Sequence, residues 1–320
     1  MSGDYLYWLG AGASFYSLPL VSSFTVRLEG FREMIRIQDF REELDDDKIE
    51  DDAEDKKQDI IQTIDWLVLN LKEQASVDTF AKKLYFKNDH KELQRLKAVL
   101  SCFFVGEQSL KPVDYRYDSF FASILRRKDH YSDVVIPDDI KFLLWNYDLQ
   151  LEKAYYGYTQ NADKVRDDLT FSGKLYHLNG YCGTKQPGHI GKEFTEAYET
   201  KDKLSKVVLN LFSEYVNYGA SPDINFAWEM NENLFNHNIG QITDNVSTLI
   251  IIGYSFPFFN REIDKKIFSR LGKLKDVFVQ TPKETFVGIQ ERIKAINPDI
   301  PELKLIEDTS QFYIPFNYNL

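Results

Sequence analysis

Four short clusters of glycine and polar residues carry the chemistry open to this chain. The first is Gly10-Ala11-Gly12-Ala13-Ser14. Glycines at alternate positions let backbone N–H groups approach an anion with no Cβ in the way, and the N-terminus of a following helix favours negative charge. A plain tight turn is the competing reading, and Phe15 stands where a dehydrogenase fingerprint would carry its third glycine. A hydride-transferring dehydrogenase is therefore not implied. The other clusters are Asn146-Tyr147-Asp148, His177-Leu178-Asn179-Gly180 and Gly253-Tyr254-Ser255. Amides and carboxylates can hold hydroxyls and a water, and a neutral imidazole with an ordinary pKa of about 6.5 can accept a hydroxyl proton. Each residue alone has a bland alternative: Asn146 as a strand-end cap, Ser255 as a turn hydroxyl, His177 as a satisfied core histidine. The weight rests on the set.

The elements that must position these clusters alternate. Apolar runs at Tyr5 to Leu9, Lys141 to Trp145, Lys174 to Leu178 and Thr248 to Ile252 read as strands, each ending at one cluster. Further strands are expected at Asp276 to Val279, just before Thr281, and near Leu303 to Ile306. Helices are expected after the glycine turn and over Leu149 to Tyr155, Asn260 to Leu271 and Glu284 to Ala295. This pattern gives the fold class: α/β, a Rossmann-like parallel sheet with helices on both faces, whose ligands sit beyond the carboxyl ends of the strands. From about Arg32 to Lys128 the chain turns to charged, helix-period segments, with Ile60, Ile61, Ile64, Leu67, Val68 and Leu71 on one apolar face. The expected division is a nucleotide-binding domain of residues 1–31 and 136–320, interrupted by a helical insertion at 32–135.

With 320 residues and 43% hydrophobic content the chain can bury a large core without staples. Cys102 and Cys182 belong to no paired ligand pattern, so neither a disulfide framework nor a zinc module is expected, and a reducing, cytoplasmic setting follows. The Met-Ser-Gly-Asp start lacks a basic signal region, and no apolar run approaches the roughly 20 residues of a membrane span. The reading is a soluble protein. A net charge of −11 opposes phosphate backbones, so direct nucleic-acid binding is disfavoured. Much of the acid runs from Glu42 through Asp55, as a solvated loop or helix face or as a partner-binding surface. His90, His130, His189 and His237 lie in polar surroundings and are expected at the surface.

The glycine turn with Pro19 five residues on resembles the opening motif of the SIR2 family. Asn146-Tyr147-Asp148 with the following Leu151-Glu152-Lys153-Ala154 is similar to that family's Asn-x-Asp element, Tyr176-His177-Leu178-Asn179-Gly180 to its His-Gly element, and Gly253-Tyr254-Ser255-Phe256-Pro257 to its late Gly-(Tyr or Thr)-Ser turn. The four stand in the family's order and cover the sheet portion, about half the chain. Ser76-Val77-Asp78-Thr79-Phe80 resembles a helical-region motif of the prokaryotic branch, and reads equally as a helix cap by Ser76 or Asp78. With no Cys-x-x-Cys pair, the resemblance is to the zinc-free antiphage-defence branch, not to deacylases.

That resemblance implies NAD as substrate, no zinc, and hydrolysis of the nicotinamide–ribose bond by the effector of a bacterial abortive-infection system. The implied roles are Gly10, Ala11 and Gly12 cradling the pyrophosphate and Ser14 capping a helix and touching phosphate. Asn146 would position ribose hydroxyls and water, and Asp148 the nicotinamide side. Gly253, Tyr254 and Ser255 would hold the adenosine end, with Thr281 near the adenine. Many relatives carry His-x-His-Gly where this chain has His177-Leu178-Asn179-Gly180, so either His177 serves catalytically or Asn179 occupies the position with altered or weakened catalysis. On a strand, residues two apart share a face, so both could reach one pocket. The resemblance also implies an oligomer and a separate sensor protein, an Argonaute-type protein or a HAM1-type nucleotide pyrophosphatase-like subunit. A sensor or regulatory subunit without turnover is the alternative, and a protein deacylase is a third, less favoured reading.

Overall fold

A computed structural model describes residues 3–38, 47–74, 76–128, 133–183, 194, 201–217, 220–229 and 232–315. Part of the acidic run, residues 42–46, and His130 and His189 lie outside the described residues. The strands are β1 (Asp4–Leu9), β2 (Arg126–Arg127), β3 (Val134–Val135), β4 (Ile140–Leu144), β5 (Leu175–His177), β6 (Val246–Ile252), β7 (Asp276–Gln280) and β8 (Leu303–Ile306). β2 and β3 pair antiparallel as a separate two-stranded sheet, and the other six form one parallel sheet in the order β5-β4-β1-β6-β7-β8.

Side-chain alternation along these strands sorts the molecule into two cores. Tyr5, Tyr7 and Leu9 join Ile140, Phe142, Leu144, Ile250 and Ile252 on one face, while Leu6, Trp8, Leu143, Leu249, Ile251, Val277 and Val279 pack on the other. Burial on both sides is why the strands read as near-continuous apolar runs. The first face carries the larger helical layer: α1 (Phe24–Arg36), α2 (Asp47–Leu71), α3 (Val77–Phe86), α4 (His90–Leu110), α5 (Tyr115–Ile124), α6 (Gln150–Thr159), α7 (Ala162–Arg166) and α8 (Lys201–Asn217). The second face is covered by α9 (Glu232–Thr243), α10 (Arg261–Phe268) and α11 (Lys283–Ile296).

The helices of residues 32–135 share their core with the sheet, since Ile64, Leu67 and Phe103 belong to the same buried cluster as Tyr7 and Phe142. α8, which lies outside that stretch of sequence, packs against α4 and α2. Ser76, not Asp78, caps α3, accepting a hydrogen bond from the Thr79 N–H at 3.2 Å. The helix expected directly after the glycine turn is not there. Ala11–Ser14 forms one 3-10 turn, a second spans Val21–Ser23, and α1 begins only at Phe24. Pro19 accounts for the delay, because its ring biases Leu18 away from helical backbone.

Phe103 is fully buried on α4, edge-on to Phe24 at 5.1 Å and to Phe31 at 5.6 Å, and so joins α4 to α1. Phe103→Ala should cost about 3–5 kcal/mol of unfolding free energy, measurable by urea denaturation.

Candidate active site

Strand register aligns the sequence clusters. Leu9 pairs with Leu144 on one side and Ile252 on the other, Leu144 pairs with His177, and Ile252 with Gln280. Gly10, Trp145, Leu178, Gly253 and Thr281 therefore all leave the sheet from one line at its carboxyl edge. The strand order reverses beside β1, with β4 and β5 on one flank and β6 to β8 on the other. Open α/β sheets leave a crevice at such a point. A cleft of about 580 Å³ lies there, within the roughly 300–1,000 Å³ usual for small-molecule sites. Its sheet-side wall contains Ala11, Asn146, Asp148, Asn179, Gly253, Tyr254 and Ser255, and its opposite wall includes Phe24, Leu71, Asp78, Leu100 and Phe104 from the helical layer.

Gly10 and Gly12 serve the fold before they serve a ligand. The Gly12 N–H donates to the Gly253 carbonyl at 3.0 Å, the Gly10 N–H to Ile252 at 3.0 Å, and the Ala13 N–H to Gly10 at 2.8 Å. A Cβ on Gly12 would lie 2.7 Å from Gly253 Cα, and one on Gly253, whose φ is +63°, would lie 2.3 Å from the Ala13 nitrogen. The two glycine turns thus touch backbone to backbone. With those three N–H groups engaged, Ala11 is the member of the expected pyrophosphate cradle that lines the cleft.

Arg116, which the sequence did not single out, props the glycine turn from below. Its Nη2 donates to the Gly12 carbonyl at 3.1 Å and the Ala13 carbonyl at 3.0 Å, while Asp114 accepts from Nη2 at 2.6 Å and from Nε at 2.9 Å. Both side chains are buried, and the guanidinium lies 4.7 Å from the Tyr16 ring and 5.2 Å from that of Phe312. Asp114 also caps α5.

In the Asn-x-Asp turn, Asn146 Nδ2 donates to Ser14 Oγ at 3.4 Å, and Ser14 Oγ lies 3.2 Å from the Tyr117 hydroxyl. Ser14 is buried and occupied by these neighbours, not by a helix cap. Asp148 accepts the Gln150 N–H at 3.1 Å at the start of α6. Burial pushes its carboxyl up to about 6, against the lowering effect of the Gln150 N–H and the Ser14 hydroxyl.

The structure brings Asn179, not His177, to the cleft wall. β5 ends at His177 and a turn follows, so the two-residue alternation expected to keep them on one side is not maintained. His177 is held behind the wall, with Nε2 2.6 Å from Glu152 Oε1 and Nδ1 3.4 Å from the Asn146 carbonyl. Burial disfavours its charged form, but the Glu152 carboxylate and the Asn146 carbonyl outweigh that and leave the imidazole pKa raised. Asn179 Nδ2 donates to the Trp145 carbonyl at 3.1 Å, and its buried Oδ1 has no partner among the described residues. Gly180 is demanded by the turn: its φ is +66°, and a Cβ would sit 1.6 Å from the Asp223 carbonyl oxygen.

Tyr254 lines the cleft, and its hydroxyl donates to Asp264 at 2.9 Å while its ring stacks on Trp8 and Trp145. Ser255 lines the cleft with its carbonyl held by Arg292 Nη1 at 2.7 Å. Thr281 lies outside the cleft wall, its Oγ1 2.6 Å from Thr285 Oγ1. Among the described residues no three His, Cys, Asp or Glu side chains gather to hold a metal ion. Cys102 and Cys182 are both buried, and Gln108 Nε2 donates to the Cys182 sulfur at 3.1 Å. No helix is long and apolar enough to cross a membrane among the described residues.

Arg116→Leu leaves Asp114 as an unpaired buried charge and should cost about 3–5 kcal/mol in chemical denaturation. The His177 pair gives a pH signature. Because the folded pKa is raised, its contribution is full below an unfolded pKa of about 6.5 and is lost as pH rises through the folded value. Thermal melts across that window should show wild type losing stability relative to His177→Gln as pH increases.

Comparison with protein-family models gives no match for this chain, and comparison with curated proteins gives none either.

Proposed function

We propose that the cleft binds NAD and that the protein hydrolyses its nicotinamide–ribose bond, releasing nicotinamide and ADP-ribose. The observation that carries this reading is the convergence of Asn146, Asp148 and Asn179 with the paired glycine turns on one cleft at the reversal of strand order. Cleavage of this bond passes through an oxocarbenium-like state, which needs oriented water and fixed dipoles more than a strong nucleophile. Asn146 and Asn179 offer amides for ribose hydroxyls and water, and the Asn179 Oδ1, without a partner among the described residues, is an acceptor for one of those hydroxyl protons. The fit to a dinucleotide rests on Ala11 at the glycine turn and Ser255 at the second turn, at the far side of the strand-order reversal.

In the cell, this reading makes the protein the cytoplasmic effector of a defence system that depletes NAD on infection. Its resemblance to the zinc-free SIR2 branch supports that, and implies an oligomer or a separate sensor holding it inactive until triggered. A second reading, a nucleotide-binding subunit without turnover, is favoured by the imidazole of His177 facing Glu152 instead of the cleft.

The two separate on incubating the protein, alone and with its co-encoded neighbours, with NAD while nicotinamide and ADP-ribose are followed by chromatography. Asn146→Ala should lower kcat by about 10²-fold or more with the fold intact, and Asn179→Ala should cost more than His177→Ala. Intact NAD under every condition, together with a raised melting temperature, would establish the binding reading instead.

A further inference from the structure

Among the described residues lining the cleft, four side chains can titrate: Asp78, Tyr147, Asp148 and Tyr254. Burial pushes both phenols well above their ordinary range, so neither takes up a proton near neutrality as a base. Asp148 is engaged as the turn's cap by the Gln150 N–H and the Ser14 hydroxyl. Asp78 differs. Ser76 is the cap of α3, and Asp78, whose carboxylate also accepts its own backbone N–H, enters the cleft from the helical wall. Its Oδ1 accepts the Tyr147 hydroxyl at 3.2 Å, which ties it to the residue between Asn146 and Asp148.

We propose that Asp78 is the catalytic base of this cleft, the group that takes the proton of the attacking water. The assignment rests on reading the cleft as an NAD-hydrolysing site. The water oxygen bonds to ribose C1′ as the bond from C1′ to the nicotinamide nitrogen breaks, and that electron pair leaves with nicotinamide, which becomes neutral. The water's proton passes to the Asp78 carboxylate and then to solvent. NAD and water thus yield nicotinamide, ADP-ribose and one proton, with no oxidant or reductant involved.

The surroundings suit the role. The titratable groups facing Asp78 are Tyr147 from the turn after β4 and Tyr254 from the turn after β6, with Glu229 beyond Tyr147. The turn after α2 presents uncharged Gln74 to the same cleft, and α4 presents Leu100 and Phe104. Burial raises the carboxyl to about 6, opposed by the Tyr147 hydroxyl and by its own backbone N–H, so Asp78 is ionised at neutral pH and close enough to it to exchange a proton.

The test measures kcat and NAD affinity for wild type, Asp78→Asn, Asp78→Glu and Tyr147→Phe from about pH 5 to 9. Asp78→Asn should lose roughly 10²–10⁴-fold in kcat with NAD affinity held within about 3-fold, and Asp78→Glu should restore part of the rate. Wild-type kcat should fall below about pH 6, and Tyr147→Phe should move that fall to higher pH, because it removes a hydrogen bond that stabilises the carboxylate. A limb owed to Asp148 would stay in place. Turnover that survives Asp78→Asn, an affinity loss matching the rate loss, or an acid limb unmoved by Tyr147→Phe overturns the assignment alone. A wild-type protein that binds NAD and never releases nicotinamide overturns the hydrolase reading and this assignment with it.

Discussion

The contact of two backbone turns, Gly10-Ala11-Gly12 after β1 and Gly253 after β6, is the constraint on which the rest of the cleft depends. The turns cannot approach each other with a side chain at Gly10 or Gly12, since a Cβ at Gly10 would meet the Gly253 carbonyl oxygen at 2.6 Å and one at Gly12 the Gly253 Cα at 2.7 Å. The hydrogen bond from Gly12 to Gly253 then fixes the separation of the two turns at the point where strand order reverses. Glycine at these positions is commonly explained by the approach of a phosphate. Here the approach of the protein's own backbone already requires it. The carbonyls of Gly12 and Ala13 point down, and Arg116 satisfies them.

Arg116 belongs to a buried polar chain that joins three helices to the turn. Gln108 on α4 accepts the Leu149 N–H at 2.9 Å, Gln150 at the start of α6 accepts the Asp114 N–H at 2.9 Å, and Asp114 holds Arg116. Lys153 donates to the Gln108 carbonyl at 2.5 Å, and its burial brings the amine down to about 8. On the other side of Asn146, the Glu152–His177 pair sits behind the cleft wall. Buried charges of this kind add little net stability over an apolar filling, but removing one partner is expensive, so they hold one geometry against alternatives. The Asn146 turn is gripped twice, by Ser14 at its side chain and by His177 at its carbonyl.

Much of the sheet was legible because both its faces are buried. Tyr5 to Leu9 and Thr248 to Ile252 have no polar face to disguise them, and the polar clusters at their ends follow from the architecture. α8 is legible in principle, with Leu204, Val208, Leu211, Phe212 and Tyr215 at helical spacing. The choice between His177 and Asn179 was not legible, because it turns on β5 ending at one residue and not two later. Asp78 stood out only within the Ser76-Val77-Asp78-Thr79-Phe80 motif, and its partner, like that of Arg116, was beyond sequence for another reason. Tyr147 meets Asp78 across 69 positions and Arg116 meets Gly12 across 104, and no local pattern encodes a partner that distant.

Those distant contacts change what the helical layer is for. Had residues 32–135 been an appendage, the sheet would carry a complete site of its own. Instead Leu71, Gln74, Asp78, Leu100 and Phe104 form the wall opposite Asn146, so the enclosed volume exists only while α2, α3 and α4 rest on the sheet. Their apolar members remove water from around the polar ones, which strengthens every hydrogen bond and charge interaction inside. Burial of Asp78 and Asp148 is the measure of this, since each carboxyl rises to about 6 by desolvation against opposing hydrogen bonds. Lifting the helical wall would rehydrate Asp78 and return it toward the ordinary carboxyl range. The position of α3 therefore sets both the shape of the cleft and the proton affinity of the group that α3 brings to it.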